Sequence, residues 1–207
     1  RSIDLIILTH PHKDHLAGLI DVLKNYNVEN ILWTGVSTDT AVFEEWERGI
    51  RAEEAKIYIT KLGQKITVGQ VILEVLHPFE NLENEEFKGQ TDEESGNTDI
   101  DKTSLVFLTS FGENTFLFTG DAPKSVEKDL TEKNLNLKAD VLRAGHHGSR
   151  TSTADEFIQK VLPEFVVVSS GKKNRYGHPH QETLDTLKKY DISVLRTDQL
   201  GDIKIFS

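Results

Sequence analysis

The sequence predicts an α/β protein, and three observations carry that prediction. Short β-rich runs alternate with segments of helical periodicity. Two neighbouring runs are joined at Gly112-Glu113-Asn114, the signature of an antiparallel hairpin set inside the alternation. Histidine and aspartate motifs follow directly after apolar runs, at the strand ends where open α/β folds carry ligands.

Residues 3–8 (I-D-L-I-I-L) have the pattern of a short buried strand. Leu16, Leu19, Ile20 and Leu23 fall at helical spacing within 16–26. Residues 30–33 read as a strand. Residues 39–55 read as a helix, with Asp39 as its cap and Phe43, Trp46 and Ile50 on one face. Strands rich in Ile and Val follow at 56–60, 64–67 and 70–76. The hairpin pairs 103–110 with 115–119. Then come a polar helix (124–133), a strand (139–143), a helix (154–161), a strand (164–169) and a helix (180–190). Strands at 192–196 and 202–206 close the chain. No repeat or linker interrupts the pattern, so 1–207 reads as a single domain.

Composition narrows the function classes. Apolar residues make up 37% of the 207, enough to bury a core. No run of eighteen apolar residues occurs, which argues against a transmembrane helix within these residues. There is no Cys, which excludes disulfides, Cys-ligated zinc, iron–sulfur clusters and a cysteine nucleophile. The chain starts at Arg1 and has no Met, so it is expected to be processed or cut from a longer protein. The net charge of −10 is unevenly spread. Residues 80–101 hold nine carboxylates against Lys88, leaving the rest of the chain nearly neutral. That acidic stretch is expected to be a solvated, mobile surface loop.

The chemistry sits in four motifs. His10, His12, Asp14 and His15 form H-P-H-K-D-H directly after a strand. Imidazole and carboxylate at this spacing suit Zn, Mn or Fe, and two ligand pairs one step apart suit two ions about 3.5–4 Å apart. T-G-D-A places Asp121 just past a strand end, where it can bridge two ions. G-H-H-G-S supplies His146 and His147, which are adjacent and are expected to send at most one ring into the site. N-R-Y-G-H-P-H supplies His178 as a ligand, a phosphate contact or a general acid, with Lys172, Lys173 and Arg175 forming a compact basic cluster just before it. His180 is expected at the surface, starting the next helix. Asp4, on the entering strand, could support a metal-bound His from behind. His77 is a further candidate ligand or a plain strand-end histidine.

Together these motifs resemble the metallo-β-lactamase superfamily, and more narrowly the soluble hydrolase domain of ComEC-type DNA-uptake (competence) proteins and its stand-alone relatives. The resemblance runs along nearly the whole chain, through I-D-L-I-I-L-T-H-P-H-K-D-H, V-L-H-P, F-L-F-T-G-D-A, A-G-H-H-G-S-R-T-S, N-R-Y-G-H-P-H and R-T-D-Q-L-G. It implies an αββα sandwich with its metal site at one edge between two sheets. The family fold begins with further strands, so N-terminal strands are expected to be missing ahead of Ile3. The usual third histidine of the first metal is not plain, and His77 and Asp101 are the nearest candidates for its place.

On this basis His10 and His12 would hold one divalent ion, and Asp14, His15 and one of His146 or His147 the other, with Asp121 bridging. The resemblance makes the substrate a phosphodiester of DNA or RNA. His178 would contact the phosphate or protonate the leaving oxygen. Ser149, Thr151 and Ser152 would bind phosphate oxygens, and Lys172, Lys173 and Arg175 would track the backbone with little sequence preference. A rival reading is a hydrolase of small esters, lactones or cyclic phosphates, which the net charge favours. A non-catalytic binding module fits less well, because the H-x-H-x-D-H and G-D residues are intact. The resemblance also implies a membrane channel domain in the same or a partner polypeptide. In that case the domain would work outside the cytoplasm, and otherwise it would be cytoplasmic or secreted.

Overall fold

A computed structural model describes residues 1–89 and 99–206. The chain enters through β1 (Ser2–Ile3), β2 (Ile6–Leu8), α1 (Lys13–Asn25), β3 (Asn27–Val28), β4 (Asn30–Trp33), β5 (Ser37–Thr38), α2 (Ala41–Ala52) and β6 (Lys56–Ile59). It continues through β7 (Lys65–Val68), β8 (Val71–His77), β9 (Glu86–Phe87), a 3-10 turn at Asp101–Thr103, β10 (Val106–Phe111), β11 (Asn114–Phe118) and α3 (Lys124–Glu132). The last part holds β12 (Val141–Arg143), a second 3-10 turn at Gly145–Gly148, α4 (Asp155–Val161), β13 (Phe165–Val168), α5 (Gln181–Lys189), β14 (Ser193–Arg196) and α6 (Thr197–Leu200).

Two sheets pack face to face and helices cover their outer faces. The smaller sheet, β2–β4–β6, is parallel. The larger has the order β14–β13–β12–β11–β10–β8–β7, parallel from β11 to β14 and antiparallel across β7, β8, β10 and β11. Strand alternation builds the layers, because successive side chains leave a strand on opposite faces. Ile6, Leu8, Ile31 and Trp33 point outward onto Leu16 and Ile20 of α1 and Phe43, Trp46 and Ile50 of α2. Leu32 and Ile7, from the same strands, point inward onto Leu73, Val75, Phe107 and Phe118. On the far face of the larger sheet, Leu108, Leu117, Leu142 and Val166 pack against α3, α4 and α5 through Leu130, Phe157, Ile158 and Leu187. The αββα sandwich expected from the sequence is the architecture observed.

Several local expectations change. The strand at 3–8 is broken at Asp4-Leu5, yet β1 and β2 keep one register against β3 and β4 (Ser2↔Asn27, Ile6↔Ile31). Helix α2 is capped by Thr40, whose hydroxyl accepts from the Phe43 N–H at 3.3 Å. Asp39 instead accepts from the Gly89 N–H at 2.7 Å. The acidic stretch is ordered at both flanks: Glu86–Phe87 pairs with Ser37–Thr38, and Asp101 is buried. Its centre, 90–98, lies outside the described residues. Residues 202–206 do not form a strand. The chain turns into α6 instead, where the Thr197 hydroxyl donates to the Ser170 carbonyl at 2.9 Å. No helix among the described residues is long and apolar enough to cross a membrane.

One buried acid ties the helical layer to the loop after the second 3-10 turn. Glu127 of α3 accepts from the N–H groups of Thr153 (2.6 Å) and Ala154 (2.8 Å). Burial pushes its carboxyl up to about 7, more than those two bonds pull it down. The folded state therefore keeps a proton that the unfolded chain releases near pH 4.5. The resulting stability, about 3 kcal/mol, is complete below that pH and is lost as pH rises through 7. Urea midpoints measured at pH 5 and pH 7.5 should fall more for the native sequence than for Glu127→Gln, which has no proton to lose. Equal falls would contradict this role.

Candidate metal centre

The site forms because five chain segments reach the same edge of the sandwich. Parallel strands β2, β11, β12 and β13 all end there, delivering His10 and His12, Asp121, His146 and His147, and His178. Antiparallel β10 starts where β11 ends, so the turn before it brings Asp101 to the same edge. Helix α1 begins at Lys13, which places Asp14 and His15 in its first turn beside the other histidines.

The potential ligand atoms gather in three overlapping groups: His10, His12 and Asp101; Asp14, His15, Asp121 and His147; and Asp101, Asp121 and His146. In the first, His10 Nε2 lies 3.1 Å from His12 Nδ1, and Asp101 Oδ1 lies 3.2 Å from His12 Nδ1 and 3.9 Å from His10 Nε2. In the second, His15 Nε2 lies 3.3 Å from His147 Nε2 and 3.4 Å from Asp14 Oδ2, and Asp121 lies 3.4 Å from both His15 and His147. Ligand atoms bound tetrahedrally at about 2.0–2.1 Å stand about 3.3 Å apart, so this is the spacing of a coordination shell. Asp101 Oδ1 adds a second test, because it is buried and has no hydrogen-bond partner among the described residues. An orphaned carboxylate oxygen beside two imidazole nitrogens is costly unless a cation joins them. The residues fit divalent metal.

Outer contacts aim the rings. His147 Nδ1 donates to the Ser169 carbonyl at 2.8 Å, which aims Nε2 at Asp14, 2.9 Å away, and at Asp121. The Thr9 hydroxyl sits 3.1 Å from His10 Nδ1 and 3.2 Å from His15 Nδ1, so one side chain orients two rings. The Ser104 hydroxyl accepts from the Asp121 N–H at 3.0 Å, and Arg143 Nη1 stands 3.2 Å from Asp121 Oδ1. His146 and His147 both send their rings inward, where at most one was expected. Both adopt positive φ (47° and 54°), and two left-handed residues in succession turn both rings into the site.

Burial and charge work against each other here. Burial holds His10 well below the ordinary imidazole range, keeping it neutral. Burial also opposes charge on His12 and His147, but the carboxylates of Asp101 and Asp14, respectively, raise both. Burial would raise Asp121, yet His15, His10 and Arg143 hold it well below the carboxylate range. His178 is lowered to about 4 by burial and by His146, His180 and His147.

His178 stands on a ridge between two clefts. One, of about 340 Å³, is lined by Asp101, Asp121, His146, Ser149, Arg150 and His180. The second, of about 290 Å³, lies between Asp14, His147 and the 169–171 loop. Tyr176 and His178 line both. The Asn174 side chain fixes this ridge, accepting from the His178 N–H at 2.8 Å and donating to its carbonyl at 2.7 Å. Arg175 donates to the Tyr176 hydroxyl at 2.7 Å.

Several residues singled out in the sequence are placed elsewhere. His77 pairs with Val106, whose side chain faces the α3–α5 layer, so His77 is buried on that face, with Nδ1 at 2.8 Å from the Ser104 carbonyl. It joins none of the three ligand groups among the described residues. Asp4 is exposed at the end of β2 opposite the histidines. Ser152 is buried, with its hydroxyl donating to the Ala122 carbonyl at 2.8 Å rather than facing a cleft. Lys172 and Lys173 are exposed and line neither cleft. His180, expected at the surface, lines the larger cleft. Thr9, Ser104, Arg143, Asn174, Arg150 and Tyr176 were not singled out. Of these, only Asn174, Tyr176 and Arg150 carry a signal, by standing inside or beside the histidine motifs.

An αββα sandwich with imidazoles and carboxylates converging on one edge defines a metal-centre protein of the hydrolase type. The chain belongs to the metallo-beta-lactamase superfamily, which its residues 1–172 match. It is 33% identical to ComE operon protein 3 of Bacillus subtilis (strain 168) over 204 residues, covering 99% of this chain and 24% of that protein. It is 38% identical to Competence protein ComA of Neisseria gonorrhoeae over 112 residues, covering 54% of this chain and 16% of that protein. These relatives are competence proteins of the ComEC type, and the chain spans about a quarter of their length or less. Among solved structures it is similar to CmlA, a diiron beta-hydroxylase from Streptomyces venezuelae, with TM-score 0.57, 14% identity, and coverage of 94% of this chain and 44% of that one. It is also similar to the metallo-beta-lactamase fold protein YhfI from Bacillus subtilis, with TM-score 0.54, 14% identity, and coverage of 94% and 74%. At these identities the likeness is one of fold.

The two histidine loops meet at Gly148. Its φ is +83°, and a Cβ there would stand 2.7 Å from Pro179 Cβ, next to His178. Gly148→Ala should cost at least about 1 kcal/mol in urea unfolding. Gly171→Ala, whose nearest neighbour would be 3.9 Å away, should be close to neutral. Equal midpoints for the two variants would show that the loop junction relaxes freely.

Proposed function

We propose that this chain is a metal-dependent phosphodiesterase that degrades DNA with little sequence preference, in the service of DNA uptake. The observation that carries the proposal is the pair of ligand groups at coordination spacing, linked through Asp101, Asp121 and His146 at the floor of an open cleft. The ComEC-type relatives support DNA as the substrate class.

In this proposal His10, His12 and Asp101 hold one divalent ion, Zn or Mn, and Asp14, His15 and His147 the other. Asp121 lies between them, and His146 faces both Asp101 and Asp121. Two such ions, when bound, would activate water and neutralise charge on the phosphodiester. Thr9 and the Ser169 carbonyl keep the ligating nitrogens aimed. Arg143 stands behind Asp121, and His15, His10 and Arg143 together keep it ionised. His178, carried on the ridge by Asn174 and with its imidazole lowered to about 4, is neutral near pH 7 and is placed to contact the phosphate rather than to serve as the proton donor. Ser149 and Thr151 shape the cleft wall, with Thr151 Oγ1 donating to Ser149 Oγ at 2.9 Å.

End-labelled single-stranded DNA should be degraded in the presence of Mn²⁺ and left intact after chelation. Asp121→Ala should abolish the activity. Asp101→Ala should lower the metal bound per chain and reduce the rate by more than about 100-fold, beyond the usual cost of losing an outer-sphere contact. A folded, metal-loaded protein that leaves DNA intact would overturn the nuclease proposal and turn attention to small esters and cyclic phosphates.

A further inference from the structure

The larger cleft extends beyond the ligand groups, and its lining there has a chemistry of its own. Arg150 and His180 line the cleft together with Asp101 and Asp121. The Arg150 backbone N–H donates to His180 Nδ1 at 3.1 Å, which fixes the imidazole beside the Arg150 main chain with its proton on Nε2. His180 therefore presents an N–H donor in a cleft that a permanent cation also lines. The His178 ring neighbours both His146 and His180, at 5.6 Å from His146 and 4.8 Å from His180 between centroids. The only carboxylate paired with Arg150 among the described residues is Glu182, at a long 3.8 Å and exposed, which neutralises it weakly.

We propose that Arg150 and His180 form a subsite for the phosphate next to the one hydrolysed. This rests on the phosphodiesterase proposal and deepens it, because a substrate would then need two consecutive phosphates to fill the cleft. A guanidinium and an imidazole N–H lining the same cleft match phosphate oxygens. The preferred substrates are therefore polynucleotides or 5′-phosphorylated dinucleotides rather than isolated diesters or cyclic phosphates.

The test compares bis(p-nitrophenyl) phosphate, which has one phosphate, with a 5′-phosphorylated DNA dinucleotide, which has two, using the Mn²⁺-loaded protein. Arg150→Ala should lower kcat/KM for the dinucleotide about tenfold more than for the single diester, the loss expected for one charged hydrogen bond. His180→Ala should act in the same direction, and Glu182→Gln should lower the KM for the dinucleotide. Equal losses on both substrates would make Arg150 a structural residue and overturn the subsite, as would no loss on either. Binding of a labelled single-stranded oligonucleotide, followed by anisotropy, gives a second readout. Arg150→Ala should weaken it about tenfold and reduce its salt dependence by about one phosphate contact. A native protein that hydrolyses neither substrate would refute the phosphodiesterase proposal, while the anisotropy comparison would still decide the subsite.

Discussion

Asp121 is fully buried and ionised, and the arrangement around it governs the rest of the site. Its two carboxylate oxygens face His15 on one side, His146 and His147 on the other, and Arg143 behind. A buried carboxylate survives only if its surroundings repay the lost hydration. Here the repayment comes from the end of β12, which supplies Arg143, His146 and His147, and from His15 at the start of α1. The order of β10, β11, β12 and β13 in the larger sheet, and the docking of the smaller sheet against it, are what bring those groups within reach.

The same logic explains the neighbouring contacts. Thr9, at the end of β2, spans two histidine rings, so the smaller sheet enters the site through a hydroxyl as well as through its ligands. Ser104 links the start of β10 to Asp121 and, through its carbonyl, to His77 on the opposite face. His77 is thus a brace beneath the site. Glu127 does similar work from the helical layer, holding the loop that carries Ser149 and Thr151 by its far end. The cleft lining depends in turn on that loop, since Arg150 follows Ser149 directly.

Much of the fold was legible because alternation and helical spacing are local properties. Phe43, Trp46 and Ile50 announce one face of α2, and Ile31 and Leu32 must point to opposite layers. The convergence of His10, His12, Asp14, His15, Asp121 and the His146–His147 pair was legible too, since each follows a strand. Asp101 was harder to single out, because it sits among eight other carboxylates and only its burial before β10 distinguishes it. His77 misleads for the opposite reason: its motif looks like a ligand motif, and only the register with Val106 shows which face it takes. Thr9, Ser104 and Arg143 carry no sequence signal, since their contacts arise from packing between distant segments. The double inward turn of His146 and His147 depends on backbone angles that residue types do not announce.

The central claim is that two divalent ions sit between these ligand groups. Anomalous diffraction from crystals of the Mn²⁺-loaded protein, recorded at the manganese edge, addresses it directly. The account predicts two peaks, one among His10, His12 and Asp101 and one among Asp14, His15, Asp121 and His147. A single peak, or density coordinated by other residues, would contradict it.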